Sequence, residues 1–220
     1  MDHRPIVPRA RLHLRCRRPP YASRVARSNG PDRTESGIPT AFAEAVGTLR
    51  SARLRSEVVV EETPAPKRLA PFAFALTADV TGDAASGRLV LLHDPHGQEA
   101  WHGEFRLVTY VRASLEAEMA ADPLILGVGW AWLSEALAGR SAPHTAASGT
   151  VTRVASESFG LMAQEPASAE IEIRASWTPL GTDLAPHALA WGDMLALAAG
   201  LAPLPAGVVA IPPPRGGSAR

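Results

Sequence analysis

The stretch from Asp122 to Arg140, D-P-L-I-L-G-V-G-W-A-W-L-S-E-A-L-A-G-R, restricts the possible folds of this chain more than any other. Its opening reads as a helix start. Asp122 can accept a hydrogen bond from the free amides of the first turn, and Pro123 suits the first helical position, where its missing N–H is no loss. Apolar residues then fall on two adjacent stripes, Ile125, Val128, Trp132, Ala136 and Leu126, Trp130, Leu133, Leu137, and only Ser134 and Glu135 clearly call for water. At 3.6 residues per turn, Trp130 and Trp132 sit about 200° apart around the axis, so one flat sheet cannot cover both. The second stripe needs a flanking helix, from 39–53 or 187–201, or a second molecule. Gly139 suits a left-handed cap, and Arg140 suits the negative end of the helix dipole.

The rest of the chain supplies the layers around this helix. Phe42, Ala45, Val46, Leu49 and Ala52 recur at three- and four-residue spacing, predicting a first amphipathic helix from Pro39. Glu57 to Glu61 is a short β-rich run, and Thr63-Pro64-Ala65-Pro66 interrupts it. Phe72, Phe74, Leu76, Ala78 and Val80 alternate with Ala73, Ala75, Thr77 and Asp79, a period of two that only a strand satisfies. Strands are predicted at 88–92 and 105–111, joined by a polar loop from His93 to Gly103, and residues 114–121 read as helical. A second strand pair follows at 149–157 and 169–177, then an apolar-sided helix over 187–201 with Gly200 as its cap. The predicted class is α+β, an antiparallel sheet of about five strands in the order α-β-β-β-α-β-β-α, covered by helices on one side. Ala85-Ser86-Gly87 to Arg112-Ala113-Ser114 is echoed by Ala147-Ser148-Gly149 to Arg174-Ala175-Ser176, which fits two β-β-α units.

Charge divides the chain more sharply than hydropathy does. Residues 1–36 hold nine Arg against Asp2, Asp32 and Glu35, a net of +6 that balances −6 in the remainder. This head has no apolar period and is expected to be disordered. Its composition suits a transit peptide, or translated sequence ahead of a natural start near Val25. The expected single domain spans 37–205, followed by a Pro/Gly-rich tail over 206–220. An acidic body with Lys67 as its only lysine argues against nucleic-acid binding, which draws on clustered cations. Cys16 is the sole cysteine, so no intramolecular disulfide can form, and a reducing cytoplasm is the expected compartment. No apolar run reaches the length of a membrane span.

Groups able to do chemistry are few. His93, Asp94 and His96, with Glu99, His102 and Glu104 nearby, bring together imidazole and carboxylate and make the one weak candidate for a metal centre. Their spacing matches no established zinc pattern, and a turn of solvent-facing histidines is the plainer reading. Gly127-Val128-Gly129 lies inside a helix rather than before one, so it reads as close packing, not as a phosphate loop. Ser156-Glu157-Ser158 lacks the Gly-x-Ser-x-Gly pattern of a nucleophile elbow. Glu170, Glu172 and Arg174 alternate on the polar side of a strand, either as a recognition strip or as a solvated face. No set of nucleophile, base and oxyanion donors emerges, and no cofactor is implied.

Several blocks carry a family resemblance: His93-Asp94-Pro95, Tyr110-Val111-Arg112, Asp122-Pro123 with the Gly-Trp-x-Trp-Leu-Ser-Glu-Ala-Leu helix, the run from Gly149 to Gly160, the strand from Glu172 to Pro179, and Ala206 to Pro212. Over about 38–212 the chain resembles the domain of unknown function 3000 family of actinobacteria, a resemblance that implies no particular activity. The element order is also similar to the type III secretion chaperone-like fold, which holds partner proteins and dimerises through its middle helix. Together these predict a cytoplasmic, non-enzymatic interaction or chaperone-like protein, possible homodimers included. The expected contact is the 123–139 helix through Trp130, Trp132, Leu133 and Leu137, with Glu170, Glu172 and Arg174 as a second surface. The alternative expectation is a small metal-dependent hydrolase centred on His93, Asp94 and His96.

Overall fold

Period-two alternation produces one six-stranded antiparallel sheet in the computed structural model, which describes residue 34 and residues 37–203. The expectations for the Arg-rich head, and for the tail beyond 203, lie outside the described residues. Strands β1 (Val58–Thr63), β2 (Phe72–Val80), β3 (Ala85–Gln98), β4 (Gly103–Leu115), β5 (His144–Ser156) and β6 (Ser168–Pro179) lie in the order β1-β2-β3-β4-β6-β5. Helices α1 (Thr40–Ser51), α2 (Ala117–Ala121), α3 (Ile125–Gly139) and α4 (Ala185–Ala198) complete an α+β fold, as the periodicity predicts. The sheet gains its sixth strand from the Val58 run, and β3 extends to Gln98. The expected polar loop from His93 is therefore strand, and only Glu99–His102 turns the hairpin.

The two echoed segments are the β3-β4 and β5-β6 hairpins, and they meet through the central β4–β6 pair. Val111 pairs with Ile173, 62 residues on, and Ser86 and Ser148 are also 62 apart, so an approximate two-fold axis passes beside this pair. The helices complete the exchange. Gly87 leaves room for Trp191 of α4, and Gly149 leaves room for Trp130 of α3; a Cβ at these glycines would sit 3.3 Å and 2.9 Å from the respective rings.

The core lies between the sheet and the helices. Leu89, Leu91, Leu107, Val111, Ile171, Ile173 and Trp177 face α3 and α4. The most enclosed helix is α4, with nine of its 14 residues buried, against five of 15 in α3. This corrects the expectation that the 122–140 helix is the central one. Ala188, Ala190, Gly192, Ala196 and Ala198 are small enough to let neighbours close in, and a Cβ on Gly192 would lie 2.6 Å from Leu54 Cδ2. α4 meets α1, α3, β1, β3 and β4. Helix α3 packs along α4, and Arg140 at the end of α3 pairs with Asp193 of α4 (Nε to Oδ2, 2.5 Å). Of the stripe Leu126, Trp130, Leu133 and Leu137, the last two are buried, Trp130 lies over Gly149 of β5, and Leu126 stays exposed.

The helix ends refine the capping expectations. Asp122 Oδ1 accepts from the Leu124 amide at 2.8 Å, just ahead of α3. Ser141, not Gly139, takes the left-handed conformation after α3, and Gly200 takes it after α4, as expected. Both ends satisfy their last carbonyls in the same way, with the Ala142 amide donating to Leu137 O and the Leu201 amide to Ala196 O, each at 2.9 Å.

The other sheet face is not bare, which corrects the one-sided expectation. Ala75, Val90 and Leu92 are buried there beneath Ala65, Ala70 and Trp101, and Arg88 Nη2 donates to Pro64 O at 2.7 Å to hold this cover. Farther along, Arg106 is 7% exposed. Its guanidinium donates to Ala146 O (2.9 Å), Thr178 Oγ1 (3.0 Å), Ser148 Oγ (3.2 Å), and Ser176 O and Oγ (3.3 and 2.7 Å). These bonds fasten β4 and β6 to the bulge in β5, where Ala146 has φ 50° and the register shifts. Burial lowers the Arg106 pKa, and none of these acceptors is a carboxylate. Every Nη acceptor is an oxygen of the protein, so the group serves as a clasp.

Candidate functional site

The predicted metal-type residues do not share a centre. Consecutive strand residues point to opposite faces, and His93 and Asp94 do so in β3. His93 is 1% exposed among Phe42, Phe72 and Phe105, its ring 4.3 Å from that of Phe105, and its Nδ1 lies 3.2 Å from Glu104 O. Desolvation lowers its pKa. Asp94 accepts from the His96 amide (3.1 Å) and from Gln98 Nε2 (2.9 Å), and those bonds hold its pKa low. The His96 side chain stands in solvent. Among the described residues no three His, Cys, Asp or Glu side chains are placed to hold one ion.

The Glu170, Glu172 and Arg174 strip does face away from the helices, but its charges pair with one another. Glu170 takes both donors of Arg112, with Nε at 2.8 Å. Glu172 accepts from Tyr110 Oη at 3.0 Å and pairs with Arg174 Nη2 at 2.6 Å, while the Arg174 guanidinium sits 5.1 Å from the centre of the Tyr110 ring. Burial and the Glu172 contact raise the Tyr110 pKa. The strip is thus an internally neutralised ladder with little charge free to attract a ligand.

Helix α3 divides its predicted contact residues. Leu133 and Leu137 are each 1% exposed, and as core residues they cannot meet a partner. Trp130 and Trp132 are half-buried and packed on the same core, Trp130 over Gly149 of β5. Exposed apolar surface lies instead at the start of the helix, where Leu124 is 69% exposed and Leu126 and Val128 also reach solvent. Met119 of α2 continues it, as do Phe159, Leu161 and Met162 in the β5–β6 connection. Eight of the twelve large apolar side chains exposed among the described residues fall between 119 and 162.

These segments meet at one end of the sheet. Arg153 of β5 donates to Ala120 O at 2.6 Å, tying the edge strand to the α2–α3 junction. Ala117 and Ala120 of α2, Leu115, Ala155, Ala167 and Ala169 line a shallow groove of about 340 Å³ beneath that junction. Sequence reasoning missed this surface because Leu124, Phe159, Leu161 and Met162 sit at helix starts and in connections, where no period marks a face. Their one signal was apolar bulk with no stripe to join.

The family model for a protein of unknown function, DUF3000, matches residues 38–209. The chain belongs to the DUF3000 family. The DUF3000 match takes in every strand and helix described above and continues past residue 203. No curated protein and no solved structure gives a significant match. Among the described residues no helix is long and apolar enough to cross a membrane.

Proposed function

We propose that this DUF3000 protein is a non-enzymatic protein-interaction module, chaperone-like in the sense that it offers an apolar surface to another protein. The docking surface is the end formed by α2, the first turns of α3 and the β5–β6 connection. One observation carries this reading: the concentration of exposed Met119, Leu124, Leu126, Val128, Phe159, Leu161 and Met162 on segments that adjoin at that end. Exposed apolar patches larger than a few hundred Å² are uncommon on monomers and mark interaction sites. The partner is a protein with a complementary apolar face, or a second copy of the chain, in a cytoplasmic setting consistent with the sole cysteine, Cys16.

The test compares three proteins by light scattering after size exclusion and by affinity capture from the native host. The wild-type chain should run near twice its 23.2 kDa mass or retain one stoichiometric partner. Leu124→Glu combined with Met162→Glu should stay folded and lose that species, whereas Val59→Glu, at the far edge of the sheet, should keep it. A wild-type monomer without a partner, or equal loss in both charged variants, would overturn the reading.

A further inference from the structure

A second surface that is open among the described residues lies at the opposite edge of the sheet. Among the described residues β1 is the terminal strand, paired only with β2, so alternate backbone amides and carbonyls along its outer edge have no sheet partner there. Val59 on this strand is 56% exposed. Beside it runs a groove of about 390 Å³ whose lining includes Leu49, Leu54, Val58, Val60, Leu76 and Trp191. Of the three charged residues in its lining, Arg50 and Glu62 close on each other, with Arg50 Nε 2.6 Å from Glu62 Oε1, and Arg53 adds a cation. A groove so lined suits a neutral apolar segment.

The described residues end beside the start of β1. Leu201 packs on the core, and the carbonyl of Ala202 accepts from Arg55 Nη1 at 3.0 Å, three residues before β1 begins. The sequence that follows is Leu204-Pro205, then Ala206-Gly207-Val208-Val209-Ala210-Ile211, then Pro212-Pro213-Pro214. Prolines, which lack the N–H that a sheet ladder uses, bracket an uncharged six-residue run as long as β1. At about 3.3 Å per residue, the six residues from 206 to 211 span roughly 20 Å, which is the length of a six-residue strand. The family match runs to residue 209, so Ala206–Val209 belong to the family's shared sequence and not to an appended tail.

We propose that residues 206–211 occupy this groove as an extended segment against the free edge of β1. The segment enters at the Val58 end and runs parallel to β1. Val209 and Ile211, on the same side of an extended chain, fill the apolar groove. A segment so placed protects the outer edge of β1 from pairing with another molecule.

Hydrogen exchange along β1 tests this, comparing the full chain with one ending at Pro203. Removing the segment should speed exchange of the outward β1 amides by about tenfold or more, leave β4 and β6 amides unchanged, and be reversed by adding a peptide of residues 204–214. Because truncation could impair folding, Val209→Asp in the full chain provides a second arm and should produce the same local loss. Equal β1 exchange in the full chain, the truncated chain and Val209→Asp would overturn the proposal. So would protection that rises with protein concentration, which would place the segment on a second copy.

Discussion

The packing of α3 on the sheet makes opposite predictions for two glycines two residues apart. At Gly129 a Cβ would fall 2.8 Å from Ile171 Cδ1 and 3.0 Å from Val151 Cγ1; at Gly127 it would meet nothing within 4 Å. Replacing either glycine by alanine favours the helix by up to about 1 kcal/mol, because the unfolded chain loses freedom. That term is common to both sites, so the difference between them isolates the cost of overpacking, about 1–3 kcal/mol. Ile171 is 0% exposed and can swing its terminal methyl only into filled space, and Val151 is stiff at χ1. Gly127→Ala should therefore stabilise the protein slightly and Gly129→Ala should destabilise it. At about 2–4 °C per kcal/mol for a chain of this size, the two melting points should differ by several degrees. Urea unfolding at constant m checks the sign, and Ile171→Val in the Gly129→Ala background should return part of the loss by removing the methyl that clashes. Equal effects at the two glycines would show that α3 does not rest on Ile171 and Val151 as described.

Two further perturbations test the core and its ionisation. Ile173→Ala removes a side chain that is 0% exposed at the centre of the sheet and should cost about 2–5 kcal/mol, whereas Glu172→Ala on the other face loses only surface pairs with Arg174 and Tyr110, about 0–1 kcal/mol; reversed costs in urea unfolding would refute the face assignment. His187 is fully buried and accepts from Trp177 Nε1 at 3.1 Å, and burial, aided by His144 and opposed by Asp183, pushes its pKa from 6.5 down to about 4. Its contribution is intact above pH 6.5 and is lost as pH falls toward 4, where the unfolded chain takes up a proton that the folded one refuses, up to about 3 kcal/mol. An NMR titration placing His187 above pH 6 would contradict this.

Periodicity alone determined most of the secondary structure, because a strand's two faces and a helix's stripes are properties of the local chain. The alternations Phe72–Val80 and Ala169–Trp177 and the stripe Phe42–Leu49 name the buried faces that the structure shows, and the Ser86/Ser148 echo marks two hairpins that meet at Val111 and Ile173. Of the two glycines read as close-packing, Gly129 is one, but Gly127 is not, since a Cβ there would meet nothing within 4 Å. What the sequence could not rank was enclosure. Apolar bulk made the Trp-rich α3 look central, but burial depends on how closely neighbours can approach, and the small side chains of α4 allow contact from more sides. The same limit applies to His93, which reads as a loop histidine because a polar neighbourhood says nothing of the Phe42, Phe72 and Phe105 rings that reach it from other elements. Only the tertiary structure brought the segments that carry exposed Met119, Leu124, Phe159 and Met162 to one end of the sheet, because residues in turns and helix starts carry no period, and those segments adjoin only once the strands between them have paired.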